Sequence, residues 1–295
     1  MDEAGIILGM EKLKGFSLIV DQATRGELVF PTSVNAALRL QLALADADCH
    51  IEDVIKKVLA EPVLAARTVA LANSMMFNRS GDAVTSVRAA VARVGYRNLY
   101  SMAAAMVVRQ FGHRIRDAGL RARAEQLWRH TAHVAALAHV IARKITSVDA
   151  DTALFAGIVH EAGGFYLLSR ADEMPGLLDD PCEWLGAAQE IIAREMMRKL
   201  AIPEPVAMAI VSLRGATLTP PPLGLRDTLL IAKQLATVAS PMASPMASPM
   251  AQPEHDDSRH ASSALLRFVS NNEELERMLL ESAAEAESMS AALLV

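Results

Sequence analysis

The sequence predicts an all-α protein, on three observations. Aromatic residues make up only 4% of the chain, whereas alanine, leucine and methionine are abundant. Apolar residues recur at helical rather than alternating spacing over most of its length. Capping residues or prolines stand just ahead of several of these runs. With 295 residues and 52% apolar content, the chain can bury a sizeable core.

In chain order, Phe16-Ser17-Leu18-Ile19-Val20 is an apolar run that fits either a short strand or a short helix. The first clear helix follows Pro31 and a potential cap at Thr32 or Ser33, with Val34, Leu38, Leu42 and Ala45 on one face. A second runs from about Ile51 to Leu59. Pro62 suits the first turn of a third, because an N–H there would be unpaired anyway. Thr85 or Ser86 caps a fourth that ends at Gly95, and Asn98 to about Gly112 gives a fifth, strongly apolar one. These five form one block.

Leu120 to Ile145 reads as a long helix with Leu127, His130, Val134, Leu137 and Ile141 on one stripe. Asp149 or Asp151 opens the helix containing His160. Another helix runs from about Glu183 to Leu200, stopping before Ile202-Pro203, and a short one from Pro203 to about Leu213 follows it. Pro220-Pro221-Pro222 is an extended connector, and Leu225 to Val238 is the last helix of the main body. Ser-Pro-Met-Ala then repeats three times from Ser240, a low-complexity stretch that predicts a disordered linker. Helical periodicity returns from Ala261 to Val295. The expected organisation is therefore an extension over 1–26, a main domain over 27–239, a linker over 240–259 and an appended helical tail over 260–295.

Charge and cysteine usage bound the function. The balance of 29 basic and 34 acidic residues gives a net charge of -5, which offers no global attraction for nucleic acid or an anionic membrane. Cys49 and Cys182 stand far apart in no metal-binding spacing, as expected for a reducing compartment without a disulfide framework. No apolar run approaches the ~18 residues of a membrane span, and Met1-Asp2-Glu3 lacks a basic leader region. A cytosolic location is expected.

The chemistry concentrates in Gly157-Ile158-Val159-His160-Glu161-Ala162-Gly163, a histidine beside a carboxylate in a glycine-flanked apolar helix. His130 lies on the apolar stripe of the preceding helix. Two antiparallel helices could join His130, His160 and Glu161 as two imidazoles and one carboxylate, close to the minimum for a metal site. The same residues also fit a hydrogen-bonded core histidine and a helix-end carboxylate. His133 is nearer the helix rim, and His139 and His113 read as surface or boundary residues. No phosphate loop, nucleophile elbow or Cys-His pair is visible. Leu71-Ala72-Asn73-Ser74 ends the helix that starts at Pro62, with two small polar residues able to bond free carbonyls or bridge to a neighbour. Met75-Met76-Phe77 is either core or a partner-binding edge.

Taken together, these segments resemble the HDOD family, non-catalytic relatives of HD-type metal phosphohydrolases found in bacterial signalling proteins. The resemblance covers roughly Glu27 to Ala236. It rests on Glu61-Pro62-Val63-Leu64-Ala65-Ala66-Arg67 leading to Ala72-Asn73-Ser74, on Ser86-Val87-Arg88-Ala89-Ala90 with Val94-Gly95, on Leu127-Trp128-Arg129-His130, and on the His160-Glu161 segment. The chain also departs from the pattern. Glu161 stands for the usual aspartate, Thr131 for a serine, and histidines are absent near Gln189 and at Ser212-Leu213. The aspartate of the last core helix aligns with Lys233, so an ammonium stands where a metal ligand would be.

The resemblance implies a multi-helix HDOD-type bundle whose second half is HD-like, with no cofactor or metal and a degenerate pocket of His130, His160, Glu161 and Lys233. It also implies a non-enzymatic signalling adaptor that binds a protein partner, with Arg67, Asn73 and Ser74 as signature residues open to an interaction role. Homodimer formation is left open, and neither nucleic acid nor membrane is expected as a partner. The alternative is a divergent metal-dependent phosphohydrolase or cyclic-dinucleotide phosphodiesterase using His130, His160 and Glu161, with His133 as a further candidate ligand. A DNA-binding regulator would need a basic face that the sequence does not display.

Overall fold

The structure, a computed structural model, describes residues 15–29, 35–46, 48–75, 77–78, 80–178, 183–218, 221–242, 277 and 283–294. The described residues are helical, with no strand among them. The open Phe16 to Val20 run belongs to α1, residues 15–24. Phe16, Ile19 and Ala23 are buried at spacings of three and four while Leu18 points outward, the period of a helix rather than a strand.

Helices α2 (Asn35–Ala45), α3 (Ile51–Leu59) and α4 (Pro62–Ala72) follow, with Pro62 in the first turn of α4 as expected. Ser86 caps α5 (Val87–Gly112) by accepting from the backbone N–H of Ala89 at 3.2 Å. Within α5, Gly95 has φ 79° and ψ 167°, so the predicted stop at Gly95 and restart near Asn98 fall on a real break in the helix. Asp117 caps α6 (Ala118–Ile141) on the N–H of Leu120, and a π-helical turn over Ala142–Thr146 ends the segment. Asp149, not Asp151, caps α7 (Ala150–Val159).

After α8 (Ala162–Ala171) come α9 (Glu183–Lys199), α10 (Glu204–Val211) and α11 (Leu225–Leu235). The tail contributes α12 (Ala283–Leu294), which packs on α6 and α4 and buries Ala286, Met289, Ala292 and Leu293. Residues 243–259, the rest of the expected linker, lie outside the described residues. No described helix is long and apolar enough to cross a membrane.

Three local expectations are corrected. His160 is not inside a helix: α7 ends at Val159, His160 caps it, and Glu161 (φ -105°, ψ 15°) opens α8 after a sharp break. The last helix of the body stops at Leu235 instead of Val238, because Ala236 turns extended and the chain leaves along another surface. His139 is buried, not a boundary residue, since it faces the inner side of α6.

Helix α6 is the central element, packed against α5, α7, α8, α11 and α12. Its contact with α7 is unusually close. A Cβ at Gly157 would lie 2.4 Å from Cα of Ala135, so the two backbones touch where neither residue carries bulk. Gly157→Ala must therefore push α6 and α7 apart. We expect it to lower unfolding free energy by ~2 kcal/mol or more, measured by urea denaturation, since overpacking a rigid core is costly.

Candidate functional site

The α7–α8 break sets the site. The break at His160 and Glu161 lets both side chains meet His130 of α6. The imidazole centroids of His130 and His160 are 5.6 Å apart. One ligand atom each from His130, His160 and Glu161 lie within 4.8 Å of one another. Helix α11 adds Lys233, whose Nζ is 3.1 Å from Oε1 of Glu161. The structure thus brings together all four residues of the expected pocket.

Hydrogen bonding fixes both imidazoles. Nδ1 of His160 is 2.6 Å from the carbonyl of Gly157, and Nδ1 of His130 is 2.7 Å from the carbonyl of Val238. A carbonyl can only accept, so each Nδ1 carries the hydrogen and each Nε2 keeps a lone pair. Both Nε2 atoms are buried without a hydrogen-bond partner among the described residues, and that of His160 lies 3.6 Å from Glu161 Oε1.

The charges follow from burial and from Lys233. Burial, reinforced by the Lys233 ammonium, pushes the His160 imidazole down to about 3. Burial also lowers His130, so both rings are neutral near pH 7. For Glu161, burial pushes upward but the Lys233 ammonium overcomes it and holds the carboxyl well below its ordinary range. At neutral pH the cluster carries one negative and one positive charge in contact, with two neutral imidazoles beside them.

A strap of non-helical chain lies over the site, bending at Thr237 and Val238 and turning at Pro241 and Met242. Residues 236–242 run beside α6, whose side chains bind them in sequence: His133 Nδ1 lies 3.2 Å from Thr237 Oγ1, His130 holds the Val238 carbonyl, Gln126 donates to Ala239 O at 3.0 Å and Arg123 to Pro241 O at 3.5 Å. Ser240 Oγ sits 3.4 Å from Glu161 Oε1 and accepts from the N–H of Met242 at 3.2 Å. Between this strap and α8 to α11 is a cavity of about 650 Å³, lined by the four pocket residues together with Gln189, Leu213 and Arg214 among others.

Sequence reasoning missed the strap, although the stripe Arg123, Gln126, His130, His133 at three- and four-residue spacing marks a polar seam on α6. His133 belongs to that seam and lies outside the histidine–glutamate cluster. Gln189 and Leu213, near positions where the resemblance expects histidines, do line the cavity. The signature residues lie elsewhere. Asn73 donates to and accepts from the backbone of Val84, both at 2.8 Å, and so pins the loop after α4. Ser74 donates to Leu71 O, and Arg67 is buried, its guanidinium pushed down to about 10 by burial and by nearby Arg109.

The donor set can be tested against the metal that an HD-like fold implies. Two Nε2 lone pairs and a carboxylate meet the minimum count, and the Nδ1–carbonyl bonds are those that orient ligating histidines. Against this, the carboxylate oxygen that a metal would share is bound by an ammonium and capped by the Ser240 hydroxyl. A divalent ion there would face Lys233 at contact range. As the chain stands, the residues do not fit a divalent metal.

The described residues form an all-helical bundle with a His-His-Glu cluster at a helix break. The profile of the HDOD domain family matches residues 30–201, and the chain belongs to that family. Solved structures share the fold. One from Shewanella amazonensis SB2B, provisionally named a metal-dependent phosphohydrolase, superposes with a TM-score of 0.69 at 17% identity, covering 96% of this chain and 99% of the other. An HDOD domain protein of unknown function from Geobacter sulfurreducens gives 0.60 at 18% identity, covering 94% and 96%. A protein from Marinobacter aquaeolei VT8, provisionally named a signal transduction protein, gives 0.51 at 17% identity, covering 90% of this chain and 59% of the other. No curated protein matches the chain.

Two outcomes are expected from the electrostatics. His160 takes its proton in the unfolded state near its ordinary 6.5 but resists it in the folded state down to about 3. Its contribution is thus fully present above pH 6.5 and lost as pH falls toward 3. Urea unfolding at successive pH values should show stability falling below about pH 6.5, by at most ~1.4 kcal/mol per pH unit for this proton, and His160→Gln should flatten that slope. Lys233→Met leaves Glu161 buried without its counter-charge. It should destabilise the fold at pH 7 by about 1–3 kcal/mol, with the loss shrinking in acid as Glu161 protonates.

Proposed function

We propose that the protein is a non-enzymatic regulatory adaptor of bacterial signalling, acting in the cytosol by binding a protein partner, with a former metal pocket retained as part of its core. The observation that carries this reading is the 3.1 Å contact between Lys233 Nζ and Glu161 Oε1. A fixed ammonium neutralises the carboxylate, so the cluster needs no ion to be buried. Without a metal, two neutral imidazoles and a paired carboxylate offer no route to a strongly activated water. Family membership and the signalling name of the Marinobacter relative support the context.

One observation favours a second reading. The Nε2 lone pairs of His130 and His160 have no hydrogen-bond partner among the described residues, and with Glu161 they make a His-His-carboxylate set. In that reading Lys233 swings away and the protein is a metal-dependent phosphohydrolase or cyclic-dinucleotide phosphodiesterase.

Metal analysis and hydrolysis assays separate the two. The purified full chain, supplied with zinc, manganese or iron, should bind none stoichiometrically and leave bis-p-nitrophenyl phosphate and cyclic dinucleotides intact. Lys233→Asp, which exchanges the ammonium for a carboxylate, should gain metal binding by calorimetry. Stoichiometric metal with hydrolysis in the unaltered chain would sink the adaptor reading. Absence of any stoichiometric protein captured on the full chain from native cell extract would count against its partner-binding half.

A further inference from the structure

The signature segment at the end of α4 meets the helix at the end of the chain. Helix α12 packs on both α6 and α4, and its Ser288 Oγ accepts from the backbone N–H of Met75 at 3.3 Å. Met75 directly follows Ala72-Asn73-Ser74. We propose that the groove between α4 and α6 is the docking site for an amphipathic helix of a protein partner, and that α12 fills this groove in the free protein as a built-in competitor. The inference rests on the partner-binding half of the adaptor reading, to which it adds where the partner binds and in what form.

The signature residues shape one wall of the groove. Asn73 bonds the Val84 backbone in both directions and Ser74 donates to Leu71 O, so the chain leaving α4 is held and the Met75 N–H is presented at a fixed place. The Met75 side chain is 60% exposed, an apolar edge beside that N–H. On the other wall, His133 of α6 stands close enough to Glu287 of α12 for the carboxylate to favour its protonated form.

What the groove accepts is read from its occupant. Helix α12 buries Ala286, Met289, Ala292 and Leu293, a single helical face, and leaves Ala283, Ala284, Glu287 and Ala291 exposed. Small side chains let a helix approach closely, and methionine adapts to an irregular surface. A partner helix therefore needs small or flexible apolar residues in the same pattern, with a side-chain acceptor for the Met75 N–H. Only two of the four buried side chains are large, so burial holds α12 weakly. A helix of 12 residues is marginal in water and forms chiefly while seated. Belonging to the same chain raises its effective concentration, which keeps a weak seat filled until a stronger helix arrives.

Competition by a peptide tests the groove on the full chain. The probe is a fluorescent peptide of residues 281–295, and a second peptide with aspartate at the four buried positions is the control. Met289→Asp/Leu293→Asp in the protein unseats α12 and leaves the groove intact. This variant should bind the probe about tenfold more tightly than the unaltered chain by fluorescence anisotropy, and should not bind the control. No binding of the probe to the unseated variant, or equal binding of the control, would overturn the docking site.

A second measurement leaves the apolar face of α12 untouched. In a Cys49→Ser, Cys182→Ser background, Met75→Cys/Ser288→Cys is oxidised to hold α12 in place. The locked chain should bind less probe than the unaltered chain, and reduction should restore binding. Equal binding by the locked and reduced forms would refute the competitor role, and disulfides between chains in place of within one would make a second copy the occupant. A partner captured from native cell extract equally well by the locked and reduced forms would also refute the proposal, while leaving the adaptor reading in place. Circular dichroism checks that each variant is folded.

Discussion

Helices α6 and α7 touch backbone to backbone where Gly157 meets Ala135, and the site depends on that contact. A side chain at position 157 would hold the helices farther apart. His130, a little more than one turn before Ala135, and His160, three residues after Gly157, would then separate with them. The same glycine carbonyl accepts from His160 Nδ1, so one residue sets both the helix separation and the orientation of the ring. Small residues at a crossing let ridges approach at the shortest interaxial distances, and polar groups on the flanking turns are then forced into contact.

Burying polar groups at this crossing is expensive, and the charges are arranged to limit the cost. Glu161 enters the interior as a carboxylate only because Lys233 accompanies it, and the imidazoles stay neutral instead of adding charge. Desolvation offsets much of the Coulomb attraction in such a pair, so its role is to make burial tolerable more than to add net stability. The two Nε2 lone pairs, without a hydrogen-bond partner among the described residues, remain a residual cost of burying the cluster.

The strap completes this arrangement from outside the helical core. By placing the Val238 carbonyl on His130 it sets that ring's tautomer, and by placing the Ser240 hydroxyl on Glu161 it provides a further hydrogen bond at the carboxylate. Its start is recognised through carbonyls and therefore leaves almost no local trace in amino-acid type. The tail returns to the same central helix, where α12 covers α6 and α4.

Local chemistry determined the helical class, most helix boundaries and three of the four pocket residues. Spacing, caps and prolines act within a few residues, so the break at Gly95, the cap at Ser86 and the pairing of His130 with His160 and Glu161 could all be read from the chain. Lys233 was legible only through its place in the resemblance, since nothing beside it in sequence marks it as a partner for Glu161. Tertiary structure alone decided that α7 ends before His160, that α11 stops at Leu235 and that the first Ser-Pro-Met unit lies on the site. The last of these turns on contacts between residues tens to more than a hundred positions apart, and a one-dimensional pattern does not encode the geometry that brings them together.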